Sequence, residues 1–517
     1  MISTAIDVTR VSRVIGYKLT AGFFGITTPY LPQRIAVFGE ANTANQQTID
    51  EDPFEFTNAD EVGAKYGYGS PLHQIARVLR PKFGDMLGGI ATVVYPQKED
   101  NMTTPSATEI ETSLAFTGSE AQENETHYLI INGRRHIDGQ SYSIGIAKGD
   151  ENDDIIDKAV DAVNSVIGAP VTAEATGTAG AKDMTLTSKW KGVTSAEVTV
   201  GVDVGQNKAG ITWSPESSRT DGAGEQNVSD TLAKFGDTWN TVVINPYSRT
   251  DVFAEFETVN GVPDPLNPTG RYDPKVYKPF VALFGNTNTS RTDVTDITGI
   301  EARKDQVTNV LCPAPGSDGF TWEAAANMAV VATPIMQNFP HLSPSGYGYF
   351  DMPVSSDIGD FGNYNDRDIM ARNGASTVTL KNGQYVVQDF ITTYHPDGEQ
   401  PPKWRFVRDL NVDWNVGFGW LIIMDRDIQD RAIVPDDSPA SVTGTISPSQ
   451  AKQLVISYVT LMAQRALIAD VDFSTDSIKT GINEQNPARL DIFFKYKRTS
   501  TAHQVATDAT VDFFFSS

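Results

Sequence analysis

Apolar and polar positions change rhythm several times along the chain. "RIAVFGEA" (34–41) and "GGIATVVYP" (88–96) are nearly continuous apolar runs and predict buried strands. Between them, "FEFTNADEVGAKYGYGSPLHQIARVLRP" (54–81) predicts two short helices. The second has Ser70 as N-cap and Pro71 at its first position, and it stops before Pro81. The same texture returns in "DTWNTVVINP" (237–246), "KPFVALFGNT" (278–287) and "VTNVLCPAPG" (307–316), strands of the kind a parallel sheet buries on both faces. "GFGWLIIM" (417–424) also has the length of a buried strand.

From about Thr103 to Ser214 the composition shifts to Thr, Ser, Glu and Asn. Asn132-Gly133 and Asp138-Gly139 are hairpin signals. Ile156, Ala159, Val160, Val163 and Ile167 share one face of a predicted helix that Gly168 and Pro170 end. "KDMTLTSKW" and "AEVTVGVDV" alternate as strands do. Residues 104–215 are therefore expected to be a mostly β domain inserted in an α/β core. The Gly/Asn/Asp/Pro-rich stretch 340–372 predicts an extended loop or surface layer, and 376–396 a hairpin around Asn382-Gly383.

The strongest helix signal lies near the C-terminus. Ser447 and Gln450 form an S-x-x-Q capping box with Pro448 at N1; Leu454, Val455, Tyr458, Val459, Met462 and Ala466 supply the apolar face. In "RLDIFFKY" (489–496), Leu490, Ile492, Phe494 and Tyr496 fall on one side of a strand. The sequence then finishes "ATDATVDFFFSS" (506–517), with three consecutive phenylalanines where polar residues are usual. An extended segment offers unpaired N–H and C=O groups, and in a polymer it becomes a connector by strand addition. Val511, Phe513 and Phe515 would fill one face of such a strand, and Thr510, Asp512 and Phe514 the other.

Charge and motifs narrow the function. Lys+Arg 41 against Asp+Glu 65 gives a net charge of −24, which repels phosphate backbones, so no direct nucleic-acid partner is expected. No apolar run is long enough for a membrane span, and the first residues lack the apolar core of a secretory leader, so no stable membrane insertion is expected. No Walker A, HExxH or GxSxG motif occurs, and "GYGSPL" (67–72) lacks the third glycine of a dinucleotide loop. "DENDDIIDKAVD" (150–161) has acids at calcium-loop spacing, but Ile155 stands where the turn glycine belongs; acids at a helix N-terminus explain it better. No two of the six histidines lie at i,i+4, and Cys312 is the single cysteine. No catalytic residue, cofactor or metal ligand is assigned. Two rivals stay in view: an α/β hydrolase using Cys312 with a His and an acid, and a non-contractile virion surface or adhesion module.

The order of short motifs resembles the tail sheath proteins of contractile-tailed bacteriophages, of the Mu-type branch. "NPARLDIFFKYKRTSTAHQVATDATVDFFF" (486–515) carries their C-terminal signature: Asn486, Pro487, Arg489, Leu490 and Asp491, then Tyr496, Lys497 and Arg498, then Thr507, Asp508 and Ala509. "VSRVIG", "LPQRIAVFG", "TNADEVGAKYGYGSPLHQ", "VIGAPVTAEATG", "DFITTYHPDG" and "RDLNVDWNV" are similar in the same order. The resemblance implies a multidomain fold, α/β plus β. Its parts would be an N-terminal linking arm (1–30), an α/β core (31–103 and 216–395) and the inserted domain (104–215). A C-terminal α+β assembly domain (396–505) and a linking strand (506–517) would follow. It further implies a non-enzymatic subunit that polymerises around a tail tube, assembled in the host cytoplasm and resident in the virion. Partners would be other copies, the tube protein, and baseplate and terminator proteins. The linking residues would be Val8, Arg10, Val11, Arg13, Val14 and Ile15 in one arm and Thr510, Val511, Asp512, Phe513, Phe514 and Phe515 in the other. Arg489, Leu490, Asp491, Ile492, Phe494, Tyr496, Lys497 and Arg498 would form the receiving strand and turn.

Overall fold

Five apolar runs pair side by side as a parallel sheet. In a computed structural model, which describes residues 28–399, 402–439 and 442–511, the strand order is Asn309–Pro313, Val281–Asn286, Val242–Ile244, Arg34–Glu40 and Ala91–Gln97. Antiparallel Phe54–Phe56 closes one side. Arg34–Glu40 is buried along nearly its whole length, as a strand covered on both faces must be. Ala36, Phe38, Val93, Tyr95, Val243 and Ala282 pack on one face with Val252 and Phe256 of helix Thr250–Asn260. Helix Thr321–Asn338 packs on the three strands Val281–Asn286, Val242–Ile244 and Asn309–Pro313, and helix Pro71–Leu79 on Arg34–Glu40. Gly285 is needed there, because a Cβ on it would lie 1.6 Å from the Thr321 carbonyl oxygen.

This sheet belongs to a compact unit, Leu31–Trp414; Met1–Tyr30 and Asn415–Ser517 form a second. The division falls inside helix Val407–Ile423, whereas the sequence suggests a C-terminal domain from 396.

The inserted region holds a four-stranded antiparallel sheet (Ile211–Thr220, Glu109–Phe116, Ala181–Ser188, Val171–Thr178) and a three-stranded one (Val200–Asp203, Glu125–Ile131, Ser143–Ile146). Both Gly-containing turns form, with Asn132 at φ 46° and Asp138 at φ 51°. Strand Ile211–Thr220 runs on past 215 because a register shift between Ser214 and Ser218 absorbs Pro215 on an edge strand. The insertion is bolted to the core of the same unit. Phe320 stacks on Trp322 at 4.5 Å, with Trp190 against both, and Arg134 pairs with buried Glu323 at 2.8 Å. The second glycine of "GYGSPL" serves this joint: Gly69, at φ 85°, lies where a Cβ would meet the Ala169 carbonyl oxygen at 2.0 Å.

Several local expectations are corrected. Helix Asn152–Asn164 ends before Ile167, which is 58% exposed; Asn164 instead exchanges hydrogen bonds with the Ala173 backbone. Its acids cap it, Glu151 and Asp154 forming a reciprocal box. The stretch 340–372 contains helix Tyr364–Arg372, capped by Asn363. "GFGWLIIM" is helical through Ile423 and continues into a wider turn, Met424–Ile428, rather than forming a strand. Gly419 works by proximity: a Cβ on it would sit 2.8 Å from the Tyr458 hydroxyl oxygen. Ala466 lies beyond helix Pro448–Gln464 at φ 55°.

Candidate self-assembly surface

The second unit is centred on helix Pro448–Gln464, whose capping box forms as its sequence predicts: Ser447 Oγ accepts from Gln450 N–H, and Gln450 Oε1 from Ser447 N–H at 2.9 Å. Ala451, Val455, Tyr458, Val459 and Met462 make the buried stripe. The Tyr458 hydroxyl donates to the Val416 carbonyl at 2.5 Å, and Trp420 lies between Tyr458 and Phe494, with ring centroids 5.4 and 5.6 Å away.

An antiparallel hairpin, Lys479–Ile482 with Leu490–Phe493, rests on this platform. Thr480 Oγ1 donates to the Pro448 carbonyl at 2.8 Å, tying strand to helix. The turn is stiffened by its own polar groups. Asn483 Nδ2 donates to Asp491 at 2.8 Å, Arg489 pairs with Asp491 at 2.6 Å, and these two contacts hold the Asp491 carboxyl below its ordinary range. Past the strand, Ala469 N–H bonds the Lys497 carbonyl at 2.8 Å, and Ile468 bridges Arg498. Lys497 pairs with Asp470 at 2.8 Å and lies 4.3 Å over the Phe473 ring; that ion pair lowers the Asp470 pKa.

Most of the residues that the resemblance assigns to a receiving strand and turn lie together here. Leu490, Ile492, Phe494 and Tyr496 are half-buried, while Phe493, Lys495 and Lys497 between them are exposed. Arg489 and Asp491 form the turn-side ion pair, and Lys497 and Arg498 the far anchor. Among the described residues the sheet has two strands only, so neither strand has a ladder partner on its outer side. Residues 500–511 carry no assigned secondary structure; Thr510 is exposed, and Val511 is 75% exposed. Val8, Arg10, Val11, Arg13, Val14 and Ile15, and Asp512, Phe513, Phe514 and Phe515, lie outside the described residues.

Sequence reasoning missed three contributors. Lys479–Ile482 is four residues with a central glycine, too short for a periodic signal; the Asn-rich turn after it was the available clue. Trp420 was read as part of a strand. Arg465 anchors the incoming chain: it donates to the Thr28 hydroxyl at 3.3 Å and to its carbonyl at 2.5 Å, and it lies 4.8 Å from the Tyr30 ring.

The hydrolase alternative meets contrary chemistry. Cys312 is buried in strand Asn309–Pro313, and burial pushes its thiol well above its ordinary pKa, away from the thiolate that a nucleophile needs.

No protein-family model matches the chain, and no curated protein matches it. Among solved structures it is similar to a sheath tail protein from Desulfitobacterium hafniense, at 12% identity and TM-score 0.41, over 93% of this chain and 100% of that one. It is also similar to the helical sheath of the anti-feeding prophage in its contracted state, at 8% identity and TM-score 0.40, over 97% and 100%.

Proposed function

We propose that the chain is the structural subunit of a contractile tail sheath, polymerising helically around a tube by exchanging its terminal strands between copies. The observation carrying this reading is the two-stranded hairpin: among the described residues its outer edges lack a ladder partner, while residues 502–511 are exposed. An open strand edge is a hazard for a monomer and, paired with the terminal segment of another copy, a connector for a polymer. Twelve extended residues reach about 40 Å at roughly 3.3 Å each, enough to bridge to a neighbour. Head-to-tail contacts that do not close produce a helix. The motif order from residues 8 to 515 supports the same class. In this reading the tube, baseplate and terminator proteins are the further partners, and the virion tail is the site of action.

Deleting residues 506–517 tests it. The truncated protein is expected to fold, with unchanged circular dichroism, and to form no striated tubes in negative-stain microscopy. Tubes of normal length from the truncated chain would overturn strand exchange.

A further inference from the structure

The hairpin has two chemically different faces. Directly opposed residues in an antiparallel pair point the same way. Lys479 with Phe493, and Gly481 with Asp491, therefore share the outer face; Thr480 with Ile492, and Ile482 with Leu490, share the face toward the Pro448–Gln464 helix. The alternation continues through 493–497: Phe493, Lys495 and Lys497 are exposed, Phe494 and Tyr496 half-buried against the platform. Residues 477–498 hold five Lys or Arg against two acids, in a chain of net charge −24. Asp470 and Asp491 each answer one of these cations, Lys497 and Arg489; Lys479 and Lys495 extend the basic face beyond them.

The C-terminal segment carries the complementary pattern. At odd positions Val511, Phe513 and Phe515 are apolar; at even positions Asp508, Thr510 and Asp512 are polar, with Phe514 following. No Lys or Arg occurs after Arg498. Segment 1–27 has the opposite balance, Arg10, Arg13 and Lys18 against Asp7.

We infer that the outer edge of Leu490–Phe493 takes the C-terminal segment of a second copy in a single parity. Odd residues continue the platform-facing apolar row, and Asp508 and Asp512 lie against Lys479, Lys495 and Lys497. The inference rests on strand exchange and adds a selection rule to it. A slip of one residue would turn both aspartates into the apolar row. The basic N-terminal segment is disfavoured at this edge by like charge, so the two arms of a copy do not compete for one slot.

Full-length charge-reversal variants test the rule by sedimentation at low and high salt, with circular dichroism to check folding. K479E/K495E and D508K/D512K are each expected to raise the critical concentration for assembly roughly tenfold at low salt, less at high salt. Combining all four substitutions should restore assembly. The order-swapped D512F/F513D variant, with composition unchanged, should form no tubes. Wild-type assembly by either charge variant, or by the order-swapped one, would overturn the rule, as would a fourfold variant no better than its parents. If residues 506–517 are essential while the charge variants assemble normally, strand exchange stands and the rule alone falls.

Discussion

The six-stranded sheet and the C-terminal hairpin are covered to very different extents. The core sheet has helices on both faces, and its parallel strands are buried along nearly their whole length. The hairpin is covered on one face, and its strand residues are half-buried or exposed. A strand sealed by helices contributes to folding; a strand with an open side contributes to association. The two sheets should therefore respond to different perturbations.

Gly285→Ala is the most severe. The added Cβ would fall 1.6 Å from a backbone oxygen, in a strand locked between parallel neighbours, so no side chain can yield to make room. A loss of about 4 kcal/mol or more is expected in denaturant unfolding of the sheet. Retention of wild-type stability would mean that helix Thr321–Asn338 does not seal that face.

Acidity separates the regions next. Glu40, at the end of the first core strand, is fully buried and its pKa is pushed up to about 8; Glu197, which accepts from Thr321 N–H at 2.8 Å, is pushed up by burial to about 7. Both folded pKa values exceed the unfolded ones, so the folded state holds protons that the unfolded chain releases. Stability is greatest at low pH for these groups and declines as pH rises toward 8. Together these two groups should cost roughly 3 to 4 kcal/mol of stability between pH 6 and 8 in unfolding experiments, and Glu40→Gln should flatten that slope. Asp470 and Asp491 of the hairpin are depressed by their partners, so their contribution is present above ordinary carboxylate pKa values and is lost only in acid. Once intrinsic exchange rates are divided out, hydrogen exchange in 479–493 should not change between pH 6 and 8.

Gly419→Ala probes the platform. The new methyl would press on the Tyr458 hydroxyl, which must keep its bond to Val416. Overpacking of this kind costs about 1–3 kcal/mol. Hydrogen exchange should report it in helix Pro448–Gln464 with the core strands unchanged.

What could be read in advance follows the same division. Continuous apolar runs declared the parallel strands, since burial on both faces leaves little room for polar residues. Ser447-Pro448 with Gln450, and the Asn-Gly and Asp-Gly turns, were legible because each depends on local chemistry. The failures came where a distant partner decides the structure. "GFGWLIIM" looked like a strand because of the length of its apolar run, whereas it is helical and Gly419 is small to admit Tyr458. Helix Tyr364–Arg372 buries only Met370 and so shows no apolar stripe. Ile167 matched the helical period, yet Asn164 ends the helix by bonding Ala173. Half of the C-terminal hairpin was legible through its alternation; Lys479–Ile482 was not, being short and needing its neighbour to exist.

The mildest change acts where the regions differ most. Ser447→Ala removes one half of the capping box and should cost about 1 kcal/mol of helix stability. In the core such a loss would be diluted among many buried contacts. In the second unit the first helical residue, Pro448, also accepts the hydrogen bond from Thr480 that ties the hairpin down. Fraying of that turn should therefore appear as faster exchange at Thr480 and Ile492, and as a modest, roughly threefold rise in the critical concentration for assembly, with global unfolding scarcely shifted. Equal acceleration throughout the parallel sheet would instead mean that hairpin and core open together, and the open-edged strand would lose its standing as a separately tunable element.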